Sequence, residues 1–321
     1  MTKSHAKQKI IILVGPTAIG KTELSLSIAE DFGCEIVSMD SMQIYRHMDI
    51  GTAKPSAEER KRVRHHLLDF VEPDEPYNVA RYVEDAQNTI TRVRAASHLP
   101  MLVGGTGLYM KGLLEGLFDM PAVSDEIRRQ VKSDLRNKGQ EKLHHDLQQI
   151  DPESAERIHP HDVQRLTRAM EIWLATGVSW TRHLARQHEE RKQRQENFDA
   201  IKIGLHMDRD ALYARINSRV GMMVGQGLLR EVEKLLAMGF GPTLNSMQSI
   251  GYKHMLHFID GRWSWEEALA YLARDTRRYA KRQLTWFGRD NTIKWFHPDD
   301  VEEVSSYLKE RLSPSNRFGE K

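Results

Sequence analysis

The sequence predicts an α/β fold, a parallel sheet flanked by helices with an inserted helical subdomain, and three observations predict it. Residues 15–22 read GPTAIGKT, a G-x-x-x-x-G-K-T phosphate cradle set between an apolar run, Ile10 to Val14, and a helix-like stretch, Glu23 to Asp31. Strand-like and helix-like segments alternate through the first third of the chain and again after residue 200, the pattern of a parallel sheet wrapped by helices. Between these parts lies a long polar stretch, Met120 to about Asn197, rich in Arg, Gln, Glu and His and almost without strand-like runs. The cradle in its strand–turn–helix setting makes the sheet P-loop NTPase-like.

The elements follow in order. Lys9 to Val14 is a first strand, the helix after the cradle runs to Asp31, Glu35 to Met39 is a second strand, and Pro100 to Val103 is a later one. Within the polar stretch Val163, Leu166, Met170, Trp173 and Leu174 recur at helical spacing. Ala200 to Met207 (AIKIGLHM) resumes the alternation, helices follow, and Thr292 to Phe296 (TIKWF) is a last strand. Ser313 to Lys321 has the composition of a frayed tail. The implied division is a catalytic core of residues 1–118 and 201–321 and an inserted helical subdomain of residues 119–200.

Composition narrows the function classes. A chain of 321 residues exceeds the usual single domain. Lys and Arg total 47 against 45 acids, so the net charge of +2 makes no case for a nucleic-acid partner; only charge distribution can. The apolar run after the basic Met1 to Lys9 is too short for a signal-peptide core, and no stretch approaches membrane-spanning length, so no membrane partner is expected. Cys34 is the only cysteine, which rules out an internal disulfide and fits a reducing cytoplasm, the expected location.

The cradle supplies each part that phosphate binding requires. Gly15, Pro16, Thr17, Ala18, Ile19 and Gly20 bring backbone N–H groups close to oxygen anions at a helix N-terminus, Lys21 neutralises charge, and the Thr22 hydroxyl suits Mg²⁺. In a parallel sheet the cradle sits at the carboxyl ends of the strands, where side chains leaving neighbouring strands converge. The second strand ends in Ser38-Met39-Asp40-Ser41-Met42-Gln43, which makes Asp40 the candidate to face the reacting group, either as a base or through Mg²⁺. The alternative role for Asp40 is to cap the turn that follows. Residues 100–109 read PMLVGGTGLY. Glycines stand where motor-type ATPases carry an acid, which weakens a simple ATPase reading, and Thr106 offers a hydroxyl to a ligand.

A basic segment, RDTRRYAKRQLTWFGR at 274–289, carries Arg274, Arg277, Arg278, Lys281, Arg282 and Arg289 with Tyr279, Trp286 and Phe287 interleaved. Such a surface suits a phosphate backbone, and equally a solvated basic face over an aromatic core. The pairs His65-His66 and His144-His145 lack further ligands at metal spacing and read as structural or surface residues. Met222 with Met223 and Trp263 with Trp265 read as packing.

Together these segments carry a resemblance. GPTAIGKT, DSMQIYRHMDIGTAKP (40–55), GGTGLY (104–109), VQRLTRAMEI, SIGYK (249–253) and YAKRQLTWF closely resemble the bacterial tRNA dimethylallyltransferases, or isopentenyl-tRNA transferases, from about Lys9 to Phe296. The DSMQ-Y and GTAKP segments are far more diagnostic than the cradle. The resemblance implies that the cradle holds dimethylallyl diphosphate and that the prenyl group goes to the exocyclic amine of the adenosine 3′-adjacent to the tRNA anticodon. It also implies Mg²⁺ as cofactor, tRNA as partner, and no obligate protein partner. The family is usually described as ATP-binding on account of the loop, although the chemistry asks for no ATP.

Roles follow from the resemblance residue by residue. Lys21 and a Thr22-bound Mg²⁺ would absorb charge on the departing diphosphate. Asp40 would be the general base, which a carboxylate of ordinary pKa, about 4, can be, because the attacking nitrogen becomes acidic only as it bonds to carbon. Ser41, Met42 and Gln43 would meet a base that has left its stack. Thr106 and Arg128 match positions near the substrates, and Arg219 matches an arginine implicated in catalysis. Gln164, Arg165, Leu166, Thr167 and Arg168 match a tRNA-contacting segment. So do Met247, Gln248, Ser249, Ile250, Gly251 and Tyr252, while Lys281 and Arg282 belong to the basic segment. Gln248 departs from the family pattern within a variable stretch. A P-loop small-molecule kinase is the rival enzyme reading, and it leaves the basic C-terminal half unexplained. A nucleotide-switched RNA-binding protein would need a guanine-selecting N-K-x-D, which is not found.

Overall fold

The computed structural model describes residues 7–116, 121–193 and 198–313, so the expected tail beyond Ser313 lies outside the described residues. In chain order the elements are β1 (Gln8–Val14), α1 (Lys21–Phe32), β2 (Cys34–Met39), α2 (Ala57–Arg62), β3 (His65–His66), α3 (Val79–Ala95), β4 (Leu99–Gly104), α4 (Gly107–Glu115), α5 (Asp125–Ile150), α6 (Pro152–Arg157), α7 (Val163–Thr176), α8 (Trp180–Gln193), β5 (Phe198–Leu205), α9 (Arg209–Gln226), α10 (Leu228–Ala237), α11 (Tyr252–Ile259), α12 (Trp265–Phe287), β6 (Lys294–Phe296) and α13 (Val301–Leu312).

The strands form one sheet in the order β3-β2-β4-β1-β5-β6, and each pairing is parallel. Ile10 to Val14 of β1 are wholly buried, as a central strand covered on both faces must be, which is why they read as an unbroken apolar run. Helix α1 begins at the cradle lysine itself, earlier than the expected Glu23. Gly20 allows this by taking a left-handed φ of 108° at the N-cap, and Gly33 at φ 63° ends the helix with its N–H returned to the Ala29 carbonyl.

Strand β3 has no counterpart among the expected elements, because two residues carry no periodicity. It pairs with Ile36 and Val37 of β2, His66 Nε2 meets the Glu35 carboxylate at 2.5 Å, and His65 Nδ1 meets the Val63 carbonyl at 2.8 Å. These contacts give each histidine a partner within the first unit.

The chain divides into two compact units, Met1–Leu114 with Glu196–Lys321, and Glu115–Gln195. In the first unit a second core packs the helices after β5 against residues 42–77, through Ile44, Met48, Met223, Val232, Met255 and Leu272. This core fixes the GTAKP loop. Lys54 completes it: its side chain is 2% exposed, and Nζ reaches Asp49 at 2.6 Å, Asp69 at 2.8 Å and the Tyr45 carbonyl at 2.7 Å. Trp263 and Trp265 do pack, edge-on to Tyr271 and Phe258. Met222 does not: it is 57% exposed beside the buried Met223.

The second unit is helical, α5 to α8, around Val131, Leu143, Leu147, Leu166 and Ala169. Helix α7 buries Leu166, Ala169 and Ile172, so the expected stripe is corrected at one end: Leu174 is 40% exposed. Gly139, at φ 78°, interrupts α5.

The turn after β4 tests the fold directly. A Cβ at Gly104 would overlap the Met39 carbonyl, a backbone group of β2 that cannot swing aside. Gly104→Ala is expected to lose about 2 kcal/mol or more in urea denaturation, the cost of overpacking against backbone; an unchanged midpoint would contradict the packing described.

Candidate functional site

The cradle leaves β1 at the middle of the sheet, between the ends of β4 and β5. Gly15 is needed there because a Cβ would press on the Leu205 carbonyl at 3.1 Å. Lys21 folds back over the loop, donating from Nζ to the Gly15 carbonyl at 2.9 Å and the Pro16 carbonyl at 2.8 Å. Burial first, and then the nearby Arg219 guanidinium, push its pKa down to about 7, while Asp40 pulls the other way. Thr22 follows in the first turn of α1.

Asp40 stands just beyond β2, half-buried. Its Oδ1 accepts from the backbone N–H of Met42 at 2.8 Å and of Gln43 at 3.3 Å. The capping role considered for this residue is therefore real and coexists with its position at the site. Ser41 N–H donates to Thr106 Oγ1 at 3.1 Å, and Thr106 N–H donates to the Met39 carbonyl at 3.2 Å, tying the end of β2 to the glycine turn. Gln43 Nε2 donates to the carbonyls of Thr52 and Ala53, at 3.3 and 3.1 Å. That network fixes the amide so that Oε1 is the end left for a ligand.

These groups wall a cavity of about 650 Å³. Thr17, Ala18, Ile19, Gly20, Lys21, Thr22, Asp40, Ser41, Met42, Gln43, Arg219, Gln248, Ser249, Ile250 and Arg282 line it. Gly15 and Pro16 lie beneath Lys21, and Thr106 reaches the site through Ser41. Arg219 is half-buried, and burial lowers its pKa against the pull of Asp40. Ser38, buried in the same wall, has a hydroxyl with no protein partner.

The remaining expected residues fall elsewhere. Met247, Gly251 and Tyr252 are buried and pack inside the first unit, and Lys281 is exposed on α12. In the helical unit Gln164 and Arg165 are exposed, Leu166 is wholly buried in the core, and Thr167 Oγ1 bonds the Val163 carbonyl at 2.8 Å. Arg128 pairs with Asp125 at 3.3 Å and Arg168 with Glu171 at 3.1 Å.

Three residues that sequence reasoning gave no role at the site also stand here. Buried Gln283 accepts from Thr17 N–H at 2.9 Å and donates to the Gly105 carbonyl at 3.0 Å, so α12 grips both the cradle and the glycine turn. Tyr279, one turn earlier, lines the cavity, and burial with the nearby Asp40 charge raises its pKa. Arg215 Nη1 donates to the Ile19 carbonyl at 3.4 Å. The signal for the first two was their spacing: Tyr279 and Gln283 share a helix face as i and i+4.

On the same helix Asp275 gathers Lys253 at 3.1 Å, Arg274 at 3.1 Å and the buried His254 at 3.3 Å. The Lys253 and Arg274 charges hold its pKa at about 2 against the effect of burial, while burial first pushes His254 down to about 4, so that it stands there as a neutral ring. No group of three or more His, Cys, Asp or Glu among the described residues could by itself hold a metal ion. No helix of the described residues is long and apolar enough to cross a membrane.

Comparison with known proteins places this geometry. The IPP transferase family model matches residues 43–290 and the isopentenyl transferase model residues 8–72. A tRNA dimethylallyltransferase of Desulfotalea psychrophila is 50% identical over 311 residues, covering 96% of this chain and 98% of that protein. One of Geobacter sulfurreducens is 45% identical, covering 95% and 97%. The crystal structure of the full-length tRNA isopentenylpyrophosphate transferase from Bacillus halodurans superposes with a TM-score of 0.71 at 39% identity, covering 95% of this chain and 97% of that one. A eukaryotic dimethylallyltransferase crystallised acting on tRNA gives a TM-score of 0.74 at 26% identity, covering 95% and 77%. The chain belongs to the tRNA dimethylallyltransferase family, a family of tRNA-modifying prenyltransferases.

Proposed function

We propose that the cavity transfers a dimethylallyl group from dimethylallyl diphosphate to the exocyclic amine of the adenosine 3′-adjacent to the anticodon, releasing diphosphate. The observation that carries this reading is the convergence of Lys21, Asp40 and Arg219 on one cavity, a cationic end for a diphosphate with a carboxylate beside it. Family membership does not favour the small-molecule kinase.

The cradle N–H groups, Lys21 and Arg219 take the diphosphate oxygens, where charge grows as the allylic C–O bond breaks. The adenine nitrogen forms its bond to the prenyl carbon, and the proton it then sheds passes to Asp40. Ser41 and the free Oε1 of Gln43 orient the base. A base must leave its stack to reach groups this deep, and Arg282, Gln248 and Ser249 at the wall are placed to receive the strand that carries it. Thr22 and the unpartnered Ser38 hydroxyl are hard oxygen groups beside the cradle and fit Mg²⁺. Bound there, Mg²⁺ would neutralise the leaving diphosphate. The exposed cations of α12, and Arg128, Gln164, Arg165, Thr167 and Arg168 of the helical unit, are the proposed tRNA contacts, the buried Leu166 serving only to hold that helix in place, and the cytoplasm is the proposed setting.

The test incubates the purified protein with dimethylallyl diphosphate, Mg²⁺ and unmodified tRNA carrying that adenosine, followed by nucleoside mass spectrometry. Prenyl-adenosine is expected. Its absence, with phosphorylation of a small acceptor from ATP instead, would replace the reading with the kinase.

A further inference from the structure

Glu231, in the first turn of α10, takes no part in the machinery described above, yet its carboxylate is fully engaged. Oε2 accepts from the backbone N–H of Asp49 at 2.9 Å and of Ile50 at 2.8 Å. Oε1 accepts from the N–H of Gly51 at 3.1 Å and from the Tyr252 hydroxyl at 2.6 Å. Three consecutive backbone donors directed at one anion form an anion-binding nest. Here the anion is a side chain brought from 180 residues away.

The held loop leads directly to the site. The next two residues, Thr52 and Ala53, supply the carbonyls that fix the Gln43 amide, and Gly51, Thr52 and Ala53 themselves line the cavity. Ala53 is held at a left-handed φ of 46°, a conformation a non-glycine residue keeps only when its surroundings impose it. The Tyr252 ring lies close against Gly51, so that a Cβ at 51 would run into it. The loop is thus held by the carboxylate and by the aromatic ring hydrogen-bonded to it. Tyr252 opens α11, so the SIGYK segment is tied to the GTAKP loop through the same carboxylate.

We propose that Glu231 is a positioning residue for base recognition: it sets the 49–53 loop, and through the Thr52 and Ala53 carbonyls it fixes Gln43 Oε1 as the acceptor presented to the adenine. This rests on the proposed transfer to adenosine. Its effect should fall on use of tRNA and spare the diphosphate, because the hydrogen bonds of Glu231 and of the loop run to Tyr252 and to Gln43, on the base-recognition side of the cavity.

The isosteric Glu231→Gln keeps the side-chain shape but turns an NH₂ toward N–H donors. It is expected to lower kcat/KM for tRNA about tenfold or more while KM for dimethylallyl diphosphate stays within about twofold. The decisive measurement is a double-mutant cycle with Gln43→Ala, which a merely structural role would leave additive. The Gln43→Ala loss seen in the wild-type background should largely vanish in the Glu231→Gln background. Hydrogen exchange of the 49–51 amides should speed up in Glu231→Gln, a readout independent of activity. Gly51→Ala provides a second route, since it displaces the loop while leaving the carboxylate intact, and it should show the same selective loss. Additive losses, an equal rise in the KM for dimethylallyl diphosphate, or unchanged amide exchange would each overturn the proposal. A wild-type protein that makes no prenyl-adenosine would instead refute the proposed function, while the exchange result would still report on the clamp.

Discussion

Asp40→Asn is expected to lower the transfer rate by about 10²–10⁴-fold, the range for loss of a positioned general base, with little change in fold stability. The asparagine carbonyl can still accept from the Met42 and Gln43 N–H groups that Asp40 Oδ1 now serves, so the turn beyond β2 keeps its cap. What is lost is the negative charge that acts on both Lys21 and Arg219, and the site for the proton. Asp40→Ala removes cap and charge together, so it should lose the same rate and some stability as well. Single-turnover rates with the thermal midpoints of both variants separate the two roles. An Asp40→Asn enzyme as fast as wild type would remove Asp40 from the chemistry and leave it as a cap.

Lys21→Met is expected to cost about 10²–10³-fold in rate, as removal of one donor to a developing anion does, and to abolish a proton uptake that the wild-type protein shows. In the ligand-free protein Lys21 has a pKa of about 7, because burial and Arg219 oppose its charge more than Asp40 supports it. A diphosphate against Nζ supplies negative charge that restores the ammonium form. At pH 8 most of the ligand-free protein is deprotonated at this site, so binding should draw a proton from solution. Titration calorimetry in two buffers of different ionisation enthalpy measures it, and identical heats in both would sink the prediction. The linkage to stability has the same origin. The folded value lies below the unfolded lysine value of about 10.4, so between these limits the unfolded chain binds more protons. Through Lys21 alone, the empty protein therefore gains stability as pH rises from about 7 to 10.4, and diphosphate cancels that gain.

What was legible in the sequence was contiguous. The cradle, the strand before it and Asp40 at the end of the next strand lie within residues 10–43, and their chemistry depends on local order: a strand, a tight turn, a helix start. The inserted helices were legible because a polar stretch without strand-like runs cannot join a buried parallel sheet. The illegible parts are those whose partners are remote in sequence. Gln283 looks like one polar residue in a basic helix until Gly105, 178 positions away, is beside it. Lys54, in a segment recognisable by resemblance, turned out to be a buried clamp. Strand β3 was too short to carry a period, and the inward face of α7 was misplaced at Leu174 because Ala169, a small residue, marks the core as surely as a large one.

The glycines after β4 restrict how this enzyme can be rebuilt from its relatives. Gly105 makes room for the Gln283 amide and Gly107 for the Trp286 ring, so two positions near residue 106 are moulded by two on α12. A larger residue at either glycine is tolerable only with a smaller partner on the helix. Chimeras that take the N-terminal half from one parent and the C-terminal helix from another will therefore work only when both parents share the same glycine–helix pairings, whatever their overall identity. Recombination libraries should treat residues 104–107 and 283–286 as a single inherited block.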